Sequence, residues 1–228
     1  MKLLIVGYGR MGKLVETLSP QYGFEVVGVL DIDNNADGRG LLAAPAADVA
    51  VDFTDAAAVL QNLPLLVRRR INVVVGTTGL QDHEPGLRRL VDDAGVGAVV
   101  ASNFSLGANL FQAIVEQAAA RFARCSDYGA WVHEAHHAAK RDAPSGTAVA
   151  LQAAMKAAGY ARPVDMSSTR AGSIPGTHTV GFDGPSDTVT LTHTNRDRGA
   201  FARGALEAAR WVVGRRGWFT MKDVLGLE

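Results

Sequence analysis

The chain has 228 residues, 47% of them hydrophobic, and 23 Lys+Arg balance 23 Asp+Glu. That length suits one large domain or two small ones with a real core, and the charge balance leaves no electrostatic case for nucleic acid or an anionic membrane. Cys125 is the only cysteine, which excludes an intramolecular disulfide framework and fits a reducing cytoplasm; no apolar run approaches membrane length, and Met1 to Val6 runs into glycine too soon for a signal peptide.

Lys2 to Val6 is a short run of β-formers and reads as a buried parallel strand. Gly7-Tyr-Gly-Arg-Met-Gly12 follows directly, and Lys13 to Leu18 continues as a helix. This is the strand–GxGxxG–helix context of a dinucleotide turn. Gly7 allows the tight turn, Gly9 lets backbone approach a pyrophosphate, and Gly12 lets helix and strand pack closely. A second strand, Phe24 to Leu30, ends at Asp31, about where an acid meets the adenosine ribose. An ordinary glycine-rich turn with a loop acid is the plainer alternative, and the combined context favours dinucleotide binding over it. Asn34 to Ala47 reads as loop, and Val49 to Phe53 as the third strand. Asp55 can cap the helical run Ala56 to Arg70, which Pro64 should break or kink. Asn72 to Val75 is a fourth strand closed by Gly76-Thr77-Thr78-Gly79, at a strand end where open α/β sheets bind ligands. Leu87 to Ala94 is helical and Ala98 to Ala101 is a fifth strand. The alternation predicts a Rossmann-type, doubly wound parallel α/β sheet.

The pattern then changes. Ser102 to Gly107 reads as a loop and a hinge, with a second crossing near Arg198 to Phe201 about which the domains would close. Asn109 to Phe122 is a long helix, Tyr128 to Glu134 alternates like a strand, and Thr147 to Ala158 is helical. Thr177 to Phe182 and Thr188 to Thr194 are Val/Thr-rich strands of period two, so an open mixed or antiparallel sheet is expected, with a flat face suited to an oligomer. Phe201 to Val213 is helical and 219–227 is a short tail. The expected division is a dinucleotide-binding domain, 1–103 joined by 202–228, and an α+β substrate and oligomerisation domain, 104–201.

Glu134-Ala-His-His-Ala-Ala-Lys-Arg-Asp-Ala-Pro-Ser-Gly-Thr-Ala148 concentrates the chemistry. Ser145 reads as an N-cap, which would leave the Gly146 and Thr147 amides unpaired at the positive end of a helix. Lys140 adds a charge, and His136 and His137 can carry protons near neutral pH. Such a cradle with proton donors suits a reductase of a carboxylated substrate. The spacing of His133, His136 and His137 permits a metal, but there is no HExxH and no second cysteine, so none is expected. A solvated basic loop would account for one histidine, not for the whole string. Two other functions fit the sequence less well. An aldehyde dehydrogenase would use Cys125 as nucleophile, but that residue carries no catalytic signature. An NAD-sensing regulator would need a DNA-binding segment, and neither a basic patch nor a helix-turn-helix is visible.

The string from Glu134 through HHxxK-DAPSGT to Ala148 resembles the signature of the bacterial 4-hydroxy-tetrahydrodipicolinate reductase family, formerly called dihydrodipicolinate reductases. Val6 to Gly12, Gly76 to Gly79 and Asn103 to Gly107 resemble its cofactor segments. Arg170-Ala-Gly-Ser-Ile-Pro-Gly-Thr-His178, Thr192-His193, Arg198, Phe201-Ala202, Gly204-Ala205 and Asp223 to Leu227 resemble its later half. The resemblance implies reduction of a dicarboxylate in the diaminopimelate route to lysine, with NADH or NADPH and no metal. It implies His136 as proton donor and acceptor and Lys140 as second proton donor. It implies that His137, Ser145, Gly146 and Thr147 bind substrate. Gly7, Tyr8, Gly9, Arg10, Met11, Gly12, Asp31, Gly76, Thr77, Thr78, Ala101, Ser102, Asn103 and Phe104 would contact the cofactor. A homotetramer built through the substrate-domain sheet is implied too. Asp31 followed by Ile32, with no arginine there, favours NADH, while Arg10, Lys13 and Arg39 keep NADPH usable.

Overall fold

Short apolar runs rich in valine, leucine and isoleucine form the buried strands of the first unit, and the computed structural model describes residues 1–227. In chain order the elements begin β1 (Lys2–Val6), α1 (Arg10–Leu18), β2 (Glu25–Leu30), α2 (Arg39–Ala43), β3 (Val49–Asp52), α3 (Ala56–Arg68) and β4 (Asn72–Val75). Then come α4 (Glu84–Ala94), β5 (Gly97–Val100), α5 (Leu106–Phe122), β6 (Gly129–His136) and α6 (Gly146–Ala157). The chain ends with β7 (Val164–Arg170), β8 (Thr177–Asp183), β9 (Thr188–Thr194), α7 (Gly199–Val212), β10 (Gly217–Phe219) and α8 (Met221–Leu225). Contacts divide it into two units, Met1–Leu106 with Arg198–Glu228, and Gly107–Asp197.

In the first unit six parallel strands lie in the order β10-β5-β4-β3-β1-β2. Leu3, Ile5, Val51, Val74 and Val99 point to one face and pack with Ala205, Leu206, Ala209 and Val212 of α7. Leu4, Val6, Ala50, Val73 and Val75 point to the other and meet Val59, Leu63, Leu66 and Val67 of α3. Residues of alternating phase thus fill both faces, as a sheet with helices on both sides requires. Two glycines fix close approaches. A Cβ at Gly12 would lie 2.1 Å from the Gly7 carbonyl oxygen, and one at Gly204 would lie 1.7 Å from that of Phe104.

Three expectations are corrected here. The segment 34–47 is not all loop, because a 3-10 turn at Ala36–Gly38 leads into α2, where Leu41 is fully buried. Pro64 does not break α3, which runs on to Arg68. An interior proline costs about 3 kcal/mol, and burial of Val59, Leu63, Leu66 and Val67 outweighs that, at roughly 1.5–3 kcal/mol per side chain. The final tail carries a strand and a helix, β10 and α8, the latter opened by a Thr220–Asp223 capping box.

The second unit is a four-stranded sheet in the order β7-β6-β8-β9. β6 and β7 are parallel, whereas β6–β8 and β8–β9 are antiparallel, so the expected mixed sheet is present. β7 is an addition, since no strand was expected at 164–170. Phe111, Val115 and Ala119 of α5 and Ala148, Leu151 and Met155 of α6 pack with Ala130, Val132, Val164, Val180 and Phe182. Arg162 closes the end of α5 by donating to the Phe122 and Cys125 carbonyls at 2.8 and 3.0 Å.

Candidate active site

The inner face of the second sheet changes chemistry along its strands. Side chains of one phase are apolar at first: Ala130 and Val132 on β6, Val164 and Met166 on β7, and Val180 and Phe182 on β8. The same phase then turns polar, to Glu134 and His136, Ser168 and Arg170, and His178. Register brings these together, for Glu134 pairs with Ser168 on one side and with His178 on the other, and His136 pairs with Arg170. Paired residues share a face.

Glu134 is 0% exposed, and its carboxylate is the hub of this cluster. Arg170 grips it with both terminal nitrogens, at 2.9 and 2.6 Å. His136 Nδ1 bonds the Oε2 oxygen, and the Ser145 amide donates to Oε1 at 3.3 Å. Arg170 also donates to the Asp142 carbonyl at 2.6 Å. The Glu134–Arg170 pair therefore holds the His136 ring at the end of β6 and, at Asp142 and Ser145, the closing side of the loop that carries Lys140. Ser145 caps α6, its hydroxyl accepting from the Ala148 amide, as expected. The same hydroxyl meets His178 Nε2 at 3.1 Å. Lys140 Nζ binds the Asp142 carboxylate at 2.7 and 2.9 Å, and the nearby Gly146 amide helps to hold that carboxyl below its usual range. An internal carboxylate thus engages the cation of the expected cradle. His137 is half-buried, and its carbonyl accepts from the Lys140 amide at 3.0 Å.

Electrostatics follow from this packing. Burial opposes ionisation of Glu134, but hydrogen bonds from Arg170, Ser168 and His136 outweigh it and bring its pKa to about 2. Burial lowers the pKa of His136; Glu134 opposes this, and Lys140 and Arg170 lower it further. His178 falls to about 4, through burial and the nearby His136, His193 and Lys140, against the pull of Glu134. Glu134, His136 and His178 offer ligand-type atoms within 4.8 Å of one another. Arg170 already binds both carboxylate oxygens, and a cation placed there would face that guanidinium, so the set does not fit a metal. It also differs from the trio His133, His136 and His137 considered from spacing; His133 instead bonds Ser167 at 2.8 Å.

Glu134, Arg170 and His178 had no role in the reading of residues alone. The signal was present: in the period-two pattern of β6, Glu134 falls in phase with buried Ala130 and Val132, and in β8 His178 falls in phase with Val180 and Phe182. A charged or titratable group in a buried phase needs a partner.

The other expected residues gather in the first unit at the carboxyl ends of β1, β2, β4 and β5. Gly7 has φ +89°, and a Cβ there would sit 2.8 Å from the Phe53 carbonyl oxygen. At Gly9 a Cβ would meet nothing within 4 Å, and no side chain caps the first turn of α1. That open, uncapped turn fits a dinucleotide pyrophosphate. Tyr8 donates to Glu16, with Lys13 Nζ 5.6 Å from its ring centroid, while Arg10 is exposed and Met11 half-buried. Asp31 ends β2 and accepts from the Ile32 amide at 2.8 Å. A Cβ at Gly76 would strike the Phe53 ring at 2.0 Å, and Thr77 donates to the Thr54 carbonyl at 3.0 Å, with Thr78 exposed beside it. The Ala101 amide bonds the Val75 carbonyl, Asn103 accepts from the Ser105 amide, Ser102 is exposed, and the Phe104 ring meets Phe53 edge-on at 6.0 Å.

A residue missed here is Asp52, 1% exposed at the end of β3. It accepts from the Thr54 amide and hydroxyl and from Asn62, which in turn accepts from Asn35. Burial pushes its pKa up, against those hydrogen bonds. The network ties the segment after β2 to the end of β3.

A glycine turn opening a parallel sheet, with a second unit bearing buried carboxylate, histidine and lysine, defines a nicotinamide-dependent oxidoreductase. Profiles of the N-terminal and C-terminal parts of dihydrodipicolinate reductase match residues 1–104 and 107–225. The chain belongs to the dihydrodipicolinate reductase family. The 4-hydroxy-tetrahydrodipicolinate reductase of Methanospirillum hungatei JF-1 is 37% identical over 259 residues, covering 100% of both chains. That of Christiangramia forsetii is 35% identical over 237 residues, covering 99% of this chain and 98% of the relative. In fold, the chain is similar to a dipicolinate-bound dihydrodipicolinate reductase from Paenisporosarcina sp. TG-14, with TM-score 0.82 at 23% identity over 96% of this chain and 97% of the other.

The lowered histidines set an acid limit to stability. His136, His178 and His193 each bind a proton less readily when folded than at the ordinary value of 6.5. The unfolded chain therefore holds more protons between pH 6.5 and, for His178, about 4. Stability is full above that window and falls as pH drops through it, by up to about 1.4 kcal/mol per pH unit for each histidine. Urea unfolding from pH 4.5 to 7.5 should show this slope, and His178→Gln should flatten it. An unchanged slope in that variant would mean that His178 is protonated in the folded chain.

Proposed function

We propose that this chain reduces 4-hydroxy-tetrahydrodipicolinate, by way of its dehydrated ring, to tetrahydrodipicolinate with a nicotinamide cofactor, in the diaminopimelate route to lysine. The observation that carries the reading is one loop bearing Lys140, held at Ser145 by a buried carboxylate that also binds His136 and at Asp142 by the arginine paired with that carboxylate. Membership of the family supports the substrate class.

The substrate ring bears two carboxylates. Lys140 already binds the Asp142 carboxylate, so a substrate carboxylate exchanges with a group of its own kind. Thr147 adds a first-turn amide, Ser145 fixes the start of the helix, and His137 contacts the ring. These groups orient the substrate, which is a large share of a bimolecular step. When bound, the reduced nicotinamide supplies the hydride to the conjugated C=C–C=N unit. His136 supplies the balancing proton and is left neutral, to be reprotonated from solvent, with Lys140 as second proton donor. Gly7 to Gly12, Asp31, Gly76 to Thr78 and residues 101–104 hold the cofactor. No residue is assigned to a metal.

NADH is preferred and NADPH remains usable, because Asp31 repels a 2′-phosphate while Arg10, Lys13 and Arg39 partly offset it. A homotetramer forms through the sheet face opposite α5 and α6, whose Thr177, Thr179, Thr192 and Thr194 present a flat, hydroxyl-rich surface. The enzyme works in the cytoplasm, in keeping with its single, exposed cysteine.

His136→Gln should cut kcat by a factor on the order of 10² or more and leave cofactor affinity unchanged. Near-normal turnover would remove His136 from the reaction. Asp31→Ser should raise kcat/KM for NADPH and lower it for NADH, because one carboxylate serves both effects. Movement of both in one direction would show that the ribose is read by other groups.

A further inference from the structure

We propose that Glu134 is a positioning residue: it fixes the tautomer of His136 and makes Nε2 the one proton-exchanging atom of that ring, while Gly176 keeps the approach to Nε2 open. The proposal rests on His136 being the proton donor.

Packing does not explain a carboxylate at this position. Ala130 and Val132 precede it in the same buried phase, and an apolar side chain there would avoid a desolvation cost. Among the described residues, the groups that bond the Glu134 carboxylate are Arg170 twice, the Ser145 amide, the Ser168 hydroxyl and His136 Nδ1. An ionised carboxylate can only accept. Nδ1 must therefore carry a hydrogen whether the imidazole is neutral or cationic, and protonation changes only at Nε2. Beyond Nε2 lies Gly176, with φ +132°, a conformation that side-chain-bearing residues rarely adopt. A Cβ there would come within 3.2 Å of Nε2 and 3.3 Å of Cδ2. The glycine leaves the reacting edge of the ring uncovered.

Glu134 also sets the charge that the ring feels. The groups facing His136 are Glu134 on its own strand, Arg170 on β7, His178 on β8 with ring centroids 5.1 Å apart, and Lys140 on the loop. Arg170 and Lys140 are cationic and His178 is neutral at pH 7. Glu134 alone favours the imidazolium. The Ser145 amide ties the same carboxylate to the head of α6, so one anion registers the proton donor against the amides of that helix.

The test is the pH dependence of kcat in Glu134→Gln beside His136→Gln. Turnover needs protonated His136, so it falls as pH rises through the value for that ring. Among the described residues Glu134 is the anion that faces the ring; Glu134→Gln removes it, and this falling limb should move about one pH unit or more to acid. At pH 7.5 kcat should drop roughly tenfold or more, while cofactor affinity, read by fluorescence, stays constant. Glu134→Asp keeps the charge but draws it back; its limb should move less, and it carries the test if the amide variant does not fold. A limb at the wild-type position, with kcat reduced in either variant, would overturn the proposal and leave Glu134 a structural residue. Near-normal turnover of His136→Gln would instead overturn the underlying reading.

Discussion

A buried carboxylate held by a guanidinium organises the second unit. Glu134 and Arg170 sit on adjacent strands, and each is satisfied largely by the other. Removing two charges from water costs several kcal/mol per ion, so such a pair is a poor way to gain stability. What it gives is definition. Lone pairs left by Arg170 receive the His136 ring and the Ser145 amide, and the remaining reach of Arg170 receives the Asp142 carbonyl. Strand end, loop and helix start are thereby referred to one point. Lys140, on the same loop, closes its ion pair with Asp142.

The first unit solves its problem with backbone rather than charge. The turn after β1 works because atoms are missing: no Cβ at Gly7 against Phe53, and none at Gly12 against the Gly7 carbonyl. Gly204 does the same for α7, which lies directly on the backbone at Phe104. The polar counterpart is the Asp52–Asn62–Asn35 chain, which anchors the segment following β2. Two means of fixing geometry, steric contact and hydrogen bonding, therefore meet at the carboxyl ends of the strands.

The sequence carried much of this, and the omissions have physical causes. β1, β3, β4 and β5 are nearly all apolar, so their identity as buried parallel strands was legible. β7 was not, because Val-Asp-Met-Ser-Ser-Thr-Arg has five polar residues and an exposed outer phase; its strand form comes from pairing with β6. Pro64 stays inside α3 because local propensity yields to the buried apolar stripe around it. His136 and Lys140 stood out as residue types, whereas Glu134 drew no notice until register placed Ser168 and His178 on either side of it. The amides at the head of α6 are legible in the run Pro144-Ser-Gly-Thr147, whereas the ion pair by which Asp142, three residues before Ser145, engages Lys140 is not.

Proton delivery by His136 depends on which ring nitrogen carries the hydrogen. Nitrogen NMR of the protein labelled at its histidine rings reads this directly, with His136→Gln assigning the signal. The structure requires Nδ1 of His136 to stay protonated from acid to alkaline pH, while Nε2 alone gains and loses a proton. A neutral His136 with the hydrogen on Nε2 and a bare Nδ1 would contradict it, since an ionised Glu134 cannot hold such a ring.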